Sequence, residues 1–424
     1  MNFFYTALLT VAIPFIIIRL IWRGFRSHAY WHRWSERFGA APELSYEKPV
    51  IWCHAVSVGE VQACRPLIDN LQTQYPDHQI LITTMTPTGS ERVKSLFLDS
   101  VAHCYLPYDL PLLIKHFFDR THPALAIIME TEIWPNILME CQKREIPLIL
   151  ANARMSARSA RGYQRIASFT KTVLQTLPLI AAQSEDDRQR FIQLGADPQR
   201  VHAIGNLKFE VKLPASLSEE CEVMRQLWDP SRPVWVAAST HEGEEEIILK
   251  ASQLIRDYFP TLLLILVPRH PERFDRVFML SQRSGLNTLR RSEQRHCVAE
   301  TQVLIGDTMG ELPLFYGASD LAFIGGTLVA HGGQNLLEPA ALGRAIITGP
   351  HYFNFHEISK QFLKSGAALE INDAQSLATT VIMLLKDPEK RACMGEAGQK
   401  LIAESQGASK RLVDLINTHI SYEK

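Results

Sequence analysis

The sequence predicts an α/β protein of two Rossmann-like, doubly wound domains facing a cleft, preceded by an N-terminal membrane anchor helix. Three observations carry this reading. Apolar, β-rich runs alternate with helix-length segments; the rhythm breaks at a polar stretch near residue 212 and restarts; and residues 3–18 contain no charged side chain. A length of 424 residues, 46% hydrophobic and 21% charged, suits two globular domains. It excludes a disordered chain, a collagen and a polytopic membrane protein.

The apolar run comes first. Extended through Arg19-Leu20-Ile21-Trp22 it reaches about 20 residues, enough to cross a bilayer if the arginine snorkels. No Lys or Arg precedes Phe3, whereas Arg19, Arg23 and Arg26 follow the run. That order disfavours a cleaved signal peptide. An apolar helix lying in the interface is a further possibility. Arg19, Arg23, Arg26, Arg33 and Arg37 are interleaved with Trp22, Phe25, Tyr30, Trp31 and Trp34. Arginine beside an apolar span marks the cytoplasmic side, and aromatic rings favour the headgroup level. The expectation is an anchor over residues 1–22 that belongs to neither core, holding a cytoplasmic catalytic body against an inner membrane.

The first domain is expected over residues 23–212, with strands at 50–55, 79–84, 124–129, 147–151 and 179–182. The second is expected over residues 213–424, with strands at 233–238, 262–267, 303–305, 321–324 and 345–348; its last helix is left free to pack back on the first domain. Strands separated by helices in this way mean parallel sheets covered on both faces. The two series open alike, through Ser57 to Gly59-Glu60 and through Ser239 to Gly243-Glu244. Ligands of such sheets bind beyond the carboxyl ends of the strands.

Several chemistries are disfavoured. There is no GxGxxG, GxxxxGK[ST] or GxSxG. The seven cysteines are odd in number and lack zinc spacing, so free thiols in a reducing compartment are expected. Ser184 with Asp187 reads as a capping box rather than as a metal site. Lys+Arg 44 against Asp+Glu 45 leaves no nucleic-acid footprint over the whole surface.

The loops after the strands carry the chemistry. Residues 325–340 hold four glycines, and a helix is expected to open near Gln334-Asn335, offering free N–H groups to an anion. Glu338 in its first turns could grip a ribose diol or merely complement the helix end. Arg269, after the strand at 262–267, suits a phosphate. Residues 307–312 could wrap a base or sugar. In the first domain Glu60 begins a helix, and two roles compete for it: compensating the helix N-terminus and acting as general base. Glu130, Glu132 and Lys208 lie near neighbouring strand ends. Carboxylates in one domain and cations with a nucleotide site in the other suit glycosyl transfer.

The segments HAVSVGE, ETEIWPN, NARMSARSARGY, GNLKF, PRHPER, GDTMGELP and GGQNLLEPAALG together resemble the 3-deoxy-D-manno-octulosonic acid (Kdo) transferases of lipopolysaccharide synthesis. The resemblance implies a GT-B fold and inverting transfer of Kdo from CMP-Kdo to lipid IVA at the cytoplasmic face of the inner membrane. It implies Glu60 as proton acceptor, with Glu130 and Lys208 supporting the transition state. It places CMP against Pro268, Arg269, Met309, Gly310, Glu311, Asn335, Leu336, Leu337 and Glu338. No metal or other cofactor is expected. The rival readings are a GT-B transferase or epimerase using another sugar nucleotide, and a non-catalytic membrane-tethered nucleotide- or glycan-binding protein.

Overall fold

The computed structural model describes residues 2–42, 44, 47–132, 134–211, 213–295 and 297–419. Lys212, at the expected domain boundary, and Ile133 of the ETEIWPN segment lie outside the described residues, as do the side chains of Phe3 and Arg26. The chain divides into two units, Met1–Glu210 with Ser405–Lys424, and Val211–Glu404.

The first unit holds one parallel sheet: β1 Val50–His54, β2 Gln79–Thr84, β3 Ala102–Tyr105, β4 Pro123–Met129, β5 Leu148–Ala153, β6 Leu179–Ala182 and β7 Val201–Ala203. Their order is β3-β2-β1-β4-β5-β6-β7. Every residue of β1 is buried. Trp52 meets Phe117 and Phe118 edge-on on one face, at 5.1 and 5.6 Å between ring centroids. On the other face Ile51 and Cys53 pack with Leu67 and Ile68. A strand covered on both sides has no polar face to show, hence its continuous apolar run. The helix Ala408–His419 completes this core: Ala408, Leu412 and Ile416 are fully buried against Leu67 and Leu71.

The second unit repeats the plan with β8 Val234–Thr240, β9 Leu263–Pro268, β10 Thr288–Arg290, β11 Val303–Ile305, β12 Leu321–Ile324, β13 Ala345–Thr348 and β14 Ala368–Glu370. The order is β10-β11-β9-β8-β12-β13-β14. In each sheet the winding reverses beside the unit's first strand, between β1 and β4 and between β8 and β12. That is the switch point where such sheets bind ligands. Four strands lie outside the sequence expectation: β3, β7, β10 and β14. They are the four sheet edges. Each is only three or four residues long and carries half-buried or exposed positions, which breaks the apolar signal.

The N-terminal helix spans Asn2–Arg26, and Tyr5–Phe25 is long and apolar enough to cross a membrane. It differs from expectation in not standing clear of the body. The Tyr5 hydroxyl donates to Asp109 Oδ2 at 2.9 Å, and Thr6 Oγ1 donates to Asn136 Oδ1 at 3.2 Å. Asp109 in turn accepts the backbone N–H groups of Asn136 and Ile137, which start the helix Pro135–Lys143. Leu20 is buried, while Leu8, Val11, Phe15, Ile18, Trp22 and Phe25 are exposed. Their three- and four-residue spacing puts them on one apolar stripe.

Candidate active site

Glu60 stands in the first turn of the helix Val58–Gln74, at the carboxyl end of β1. Ser57 caps that helix. Its hydroxyl donates to Glu60 Oε1 at 2.9 Å, and the Val56 backbone N–H donates to Oε2 at 2.8 Å. The side chain is folded back over the turn and is 8% exposed. Burial first, and then the Glu130 charge, push its carboxyl up to about 7, against the pull of the Val56 and Ser57 bonds. A carboxylate that ionises there is half-poised at neutral pH, where a general base is most effective.

Glu130 follows β4, the neighbour of β1. Its backbone is left-handed, with φ 59°, and its N–H donates to Ala151 O at 2.8 Å. Strain of this kind at a strand end is held only by its surroundings. Its carboxylate forms an ion pair with Lys208 Nζ. Lys208 lies in the short turn Leu207–Phe209 beyond β7, and Asn152 fixes that turn. Buried Asn152, also left-handed at φ 53°, accepts the Leu207 N–H on Oδ1 at 3.0 Å. Asn206 caps the turn at Lys208 N, and its own N–H donates to Ser405 Oγ at 3.1 Å. Glu60, Glu130 and Lys208 thus lie at the carboxyl ends of β1, β4 and β7. Burial, then the Glu130 charge, raises the carboxyl of Glu132 as well.

In the second unit the expected nucleotide residues gather at the same ends of β9, β11 and β12. Pro268 ends β9 and is buried; Arg269 is exposed, and its backbone N–H donates to Thr240 O at 3.0 Å. Met309 is exposed, and Gly310 takes φ +85°, closed to side chains. Glu311 is bound in two-pronged fashion by Arg291, at 2.7 and 3.1 Å. Asn335 caps the following helix, its Oδ1 taking the Leu337 N–H at 3.1 Å, and its Nδ2 donates to Glu338 Oε1 at 3.3 Å. That helix is Leu337–Ala341, so it opens later than expected and is only five residues long. Gly332 and Gly333 before it both take positive φ. Leu336 and Leu337 are buried. Burial pushes the Glu338 carboxyl up, partly offset by Asn335.

A family model described as 3-Deoxy-D-manno-octulosonic-acid transferase (kdotransferase) matches residues 32–211, and one described as glycosyl transferases group 1 matches residues 231–401. A 3-deoxy-D-manno-octulosonic acid transferase of Haemophilus influenzae is 44% identical over 421 residues, 99% of either chain. The chain belongs to the Kdo transferase family. It is a glycosyltransferase. The Bordetella pertussis Kdo transferase is 35% identical, over 97% of this chain and 98% of that one. The crystal structure of a UDP-GlcNAc 2-epimerase from Neisseria meningitidis bound to UDP-GlcNAc aligns over 87% of this chain and 100% of that one, at 14% identity and TM-score 0.51. At that identity it shows the shared GT-B fold alone.

In this Kdo transferase the two look-alike openings do different things. Glu60 stays 8% exposed, whereas Glu244, its counterpart after β8, is wholly buried. Glu244 accepts the backbone N–H groups of Gly326, Thr327 and Leu328 at 2.6, 2.9 and 2.9 Å, and of His241 at 2.9 Å. The start of the glycine loop is therefore braced by the chain's own carboxylate. Gly325 is needed there, since a Cβ would sit 2.5 Å from Ser239 O. Sequence reasoning missed Glu244, although its likeness to Glu60 was the available signal. Arg273 is likewise structural: it holds Glu245 at 2.7 and 3.1 Å.

Proposed function

We propose that this chain transfers Kdo from CMP-Kdo to lipid IVA, the tetraacyl lipid A precursor, in lipopolysaccharide core synthesis. The observation that carries the mechanism is the setting of Glu60: buried, donor-held, with its carboxyl at about 7 beside the Glu130–Lys208 pair. Ionised Glu60 takes the proton of an acceptor hydroxyl as that oxygen attacks the anomeric carbon of Kdo. The bond from sugar to phosphate breaks on the opposite side, and CMP leaves with the electron pair. Glu130 keeps Glu60 basic through like-charge repulsion, and Lys208 holds Glu130 in place. Because Lys208 is engaged there, charge growing on the departing phosphate falls to Arg269 and to the loops carrying Pro268, Met309, Gly310, Glu311, Asn335, Leu336, Leu337 and Glu338. Arg269 and these loops' dipoles take the place of a metal in stabilising the leaving group.

The acceptor is a membrane lipid, and the exposed stripe from Leu8 to Phe25 supports work at the cytoplasmic face of the inner membrane. Its attachment to the body through Tyr5 and Thr6 favours a helix lying along the interface over one crossing it as a detached anchor. Incubating the protein with a CMP-Kdo generating system and lipid IVA, then weighing the lipid, tests the reading. A mass increase of one or more Kdo units supports it. An unchanged lipid beside active donor synthesis refutes it.

A further inference from the structure

Three histidines whose side chains have no role so far converge on the switch point of the second unit. His241 comes from the loop after β8, His270 from the loop after β9 and His331 from the glycine loop after β12. The rings of His241 and His331 stack at 4.2 Å, only 14° from parallel, and His270 meets His241 edge-on at 5.5 Å. His241 is 9% exposed, while His270 and His331 face solvent. Gln334 Nε2 and His241 Nε2 lie within hydrogen-bond distance, at 3.1 Å. Among the described residues no group of three His, Cys, Asp or Glu is placed to hold a metal ion.

The charges facing His241 are almost all positive. Arg269 is exposed and, among the described residues, makes no ion pair; Arg273 is neutralised by Glu245. Of the near carboxylates, Glu244 is held by four backbone N–H groups, Glu245 by Arg273 and Thr240, and Glu242 by Arg276, while Glu272, two residues after His270, is exposed. Two imidazoles in contact, a third edge-on and an exposed arginine make a face that suits an anion. Burial, then the neighbouring His331, His270, Arg273 and Arg269, hold the His241 ring down at about 4. A dianion set among these rings reverses the balance, because an opposite charge within about 4–6 Å favours the protonated form.

We propose that His241 and His331, with His270 and Arg269, form a proton-linked clamp for the phosphate of the bound nucleoside monophosphate. This rests on the nucleotide reading above. The phosphodiester of the donor carries one negative charge and the released monophosphate carries about two. The clamp therefore grips harder as the sugar–phosphate bond breaks, which is when stabilisation raises the rate. No bond to histidine forms: the proton comes from solvent and stays on the imidazole as a hydrogen-bond donor.

Calorimetry of CMP binding to the full-length protein, at about pH 6.5 in buffers of different ionisation enthalpy, counts the protons taken up. CMP titrates there itself, equally in every variant, so the readout is wild type minus variant, with cytidine as the phosphate-free control. Wild type should take up more protons than His241→Gln and His331→Gln. Its CMP affinity should also fall more steeply with pH, by up to about tenfold per pH unit for one linked proton. His331 is exposed, so its variant remains informative if His241→Gln folds poorly. CMP binding with equal proton uptake and equal affinity in wild type and His331→Gln overturns the clamp and leaves the nucleotide reading standing. Failure of wild type to bind CMP at any pH overturns the nucleotide reading, and the clamp with it.

Discussion

Replacing Glu60 by Gln separates catalysis from stability in opposite directions. The amide fits the same bonds: its oxygen accepts the Val56 N–H, and its NH₂ donates to the Ser57 hydroxyl, which turns round to receive it. Basicity is lost, and general-base contributions are about 10²–10⁴-fold, so kcat should fall by that order. Stability should move the other way. A carboxyl raised from 4.5 to about 7 holds its proton more tightly folded than unfolded. Its contribution is fully present below the unfolded value and is lost as pH rises from there through the folded value. By about pH 8 ionising Glu60 therefore costs the fold roughly 3 kcal/mol, which the amide never incurs. Melting curves of both proteins should coincide near pH 4 and separate by up to about 6–12 °C near pH 8, at about 2–4 °C per kcal/mol, with the variant more stable. A folded Glu60→Gln protein keeping more than about a tenth of wild-type turnover would sink the base role. A variant less stable than wild type at pH 8 would mean that Glu60 serves the helix end rather than the chemistry.

Wild-type kcat/KM should lose about tenfold per pH unit below the Glu60 midpoint of about 7. Glu130→Gln removes a like charge and should move that acid limb to lower pH. Lys208→Met leaves Glu130 unpaired and should move it higher; pH–rate profiles of the two variants shifting together would contradict this. Glu244→Ala strips the acceptor from four backbone N–H groups, and at about 1–3 kcal/mol for each unmet donor it should unfold the second unit or abolish CMP binding. Thermal melting with and without CMP checks it. Phe15→Glu with Ile18→Glu, on the exposed stripe, should release protein from membranes at unchanged melting temperature, whereas Leu20→Glu should lower that temperature. Flotation assays beside melting curves read both effects.

The interior of each sheet was legible because strands covered on both faces are mostly apolar, as 50–53 and 263–268 are. The edges were not, because strands such as Thr288–Arg290 and Val201–Ala203 mix buried with partly exposed positions. Ser57 with Glu60 could be placed at a helix start from local spacing alone. The partnership of Glu130 with Lys208 could not, since it depends on β4 and β7 lying in one sheet. Glu244 bracing Gly326, 82 residues away, has no local signature either. The start of the helix at Leu337, two residues beyond Asn335, is a boundary that composition does not set.

The return of Ala408–His419 to the first unit sets the order in which the protein can mature. Arg411 bonds Ile204 O at 3.0 and 2.6 Å, Ser409 bonds Asn70 and Glu210, and Ser405 holds the Asn206 turn beside Lys208. None of these contacts exists until the whole second unit has left the ribosome. At about 5–20 residues per second, the half carrying Glu60 waits on the order of 10–40 s with Leu67 and Leu71 uncovered. During that interval a nascent chain already bearing an apolar N-terminal stripe has two surfaces seeking cover. A membrane that receives the stripe early leaves only one of them exposed to other chains.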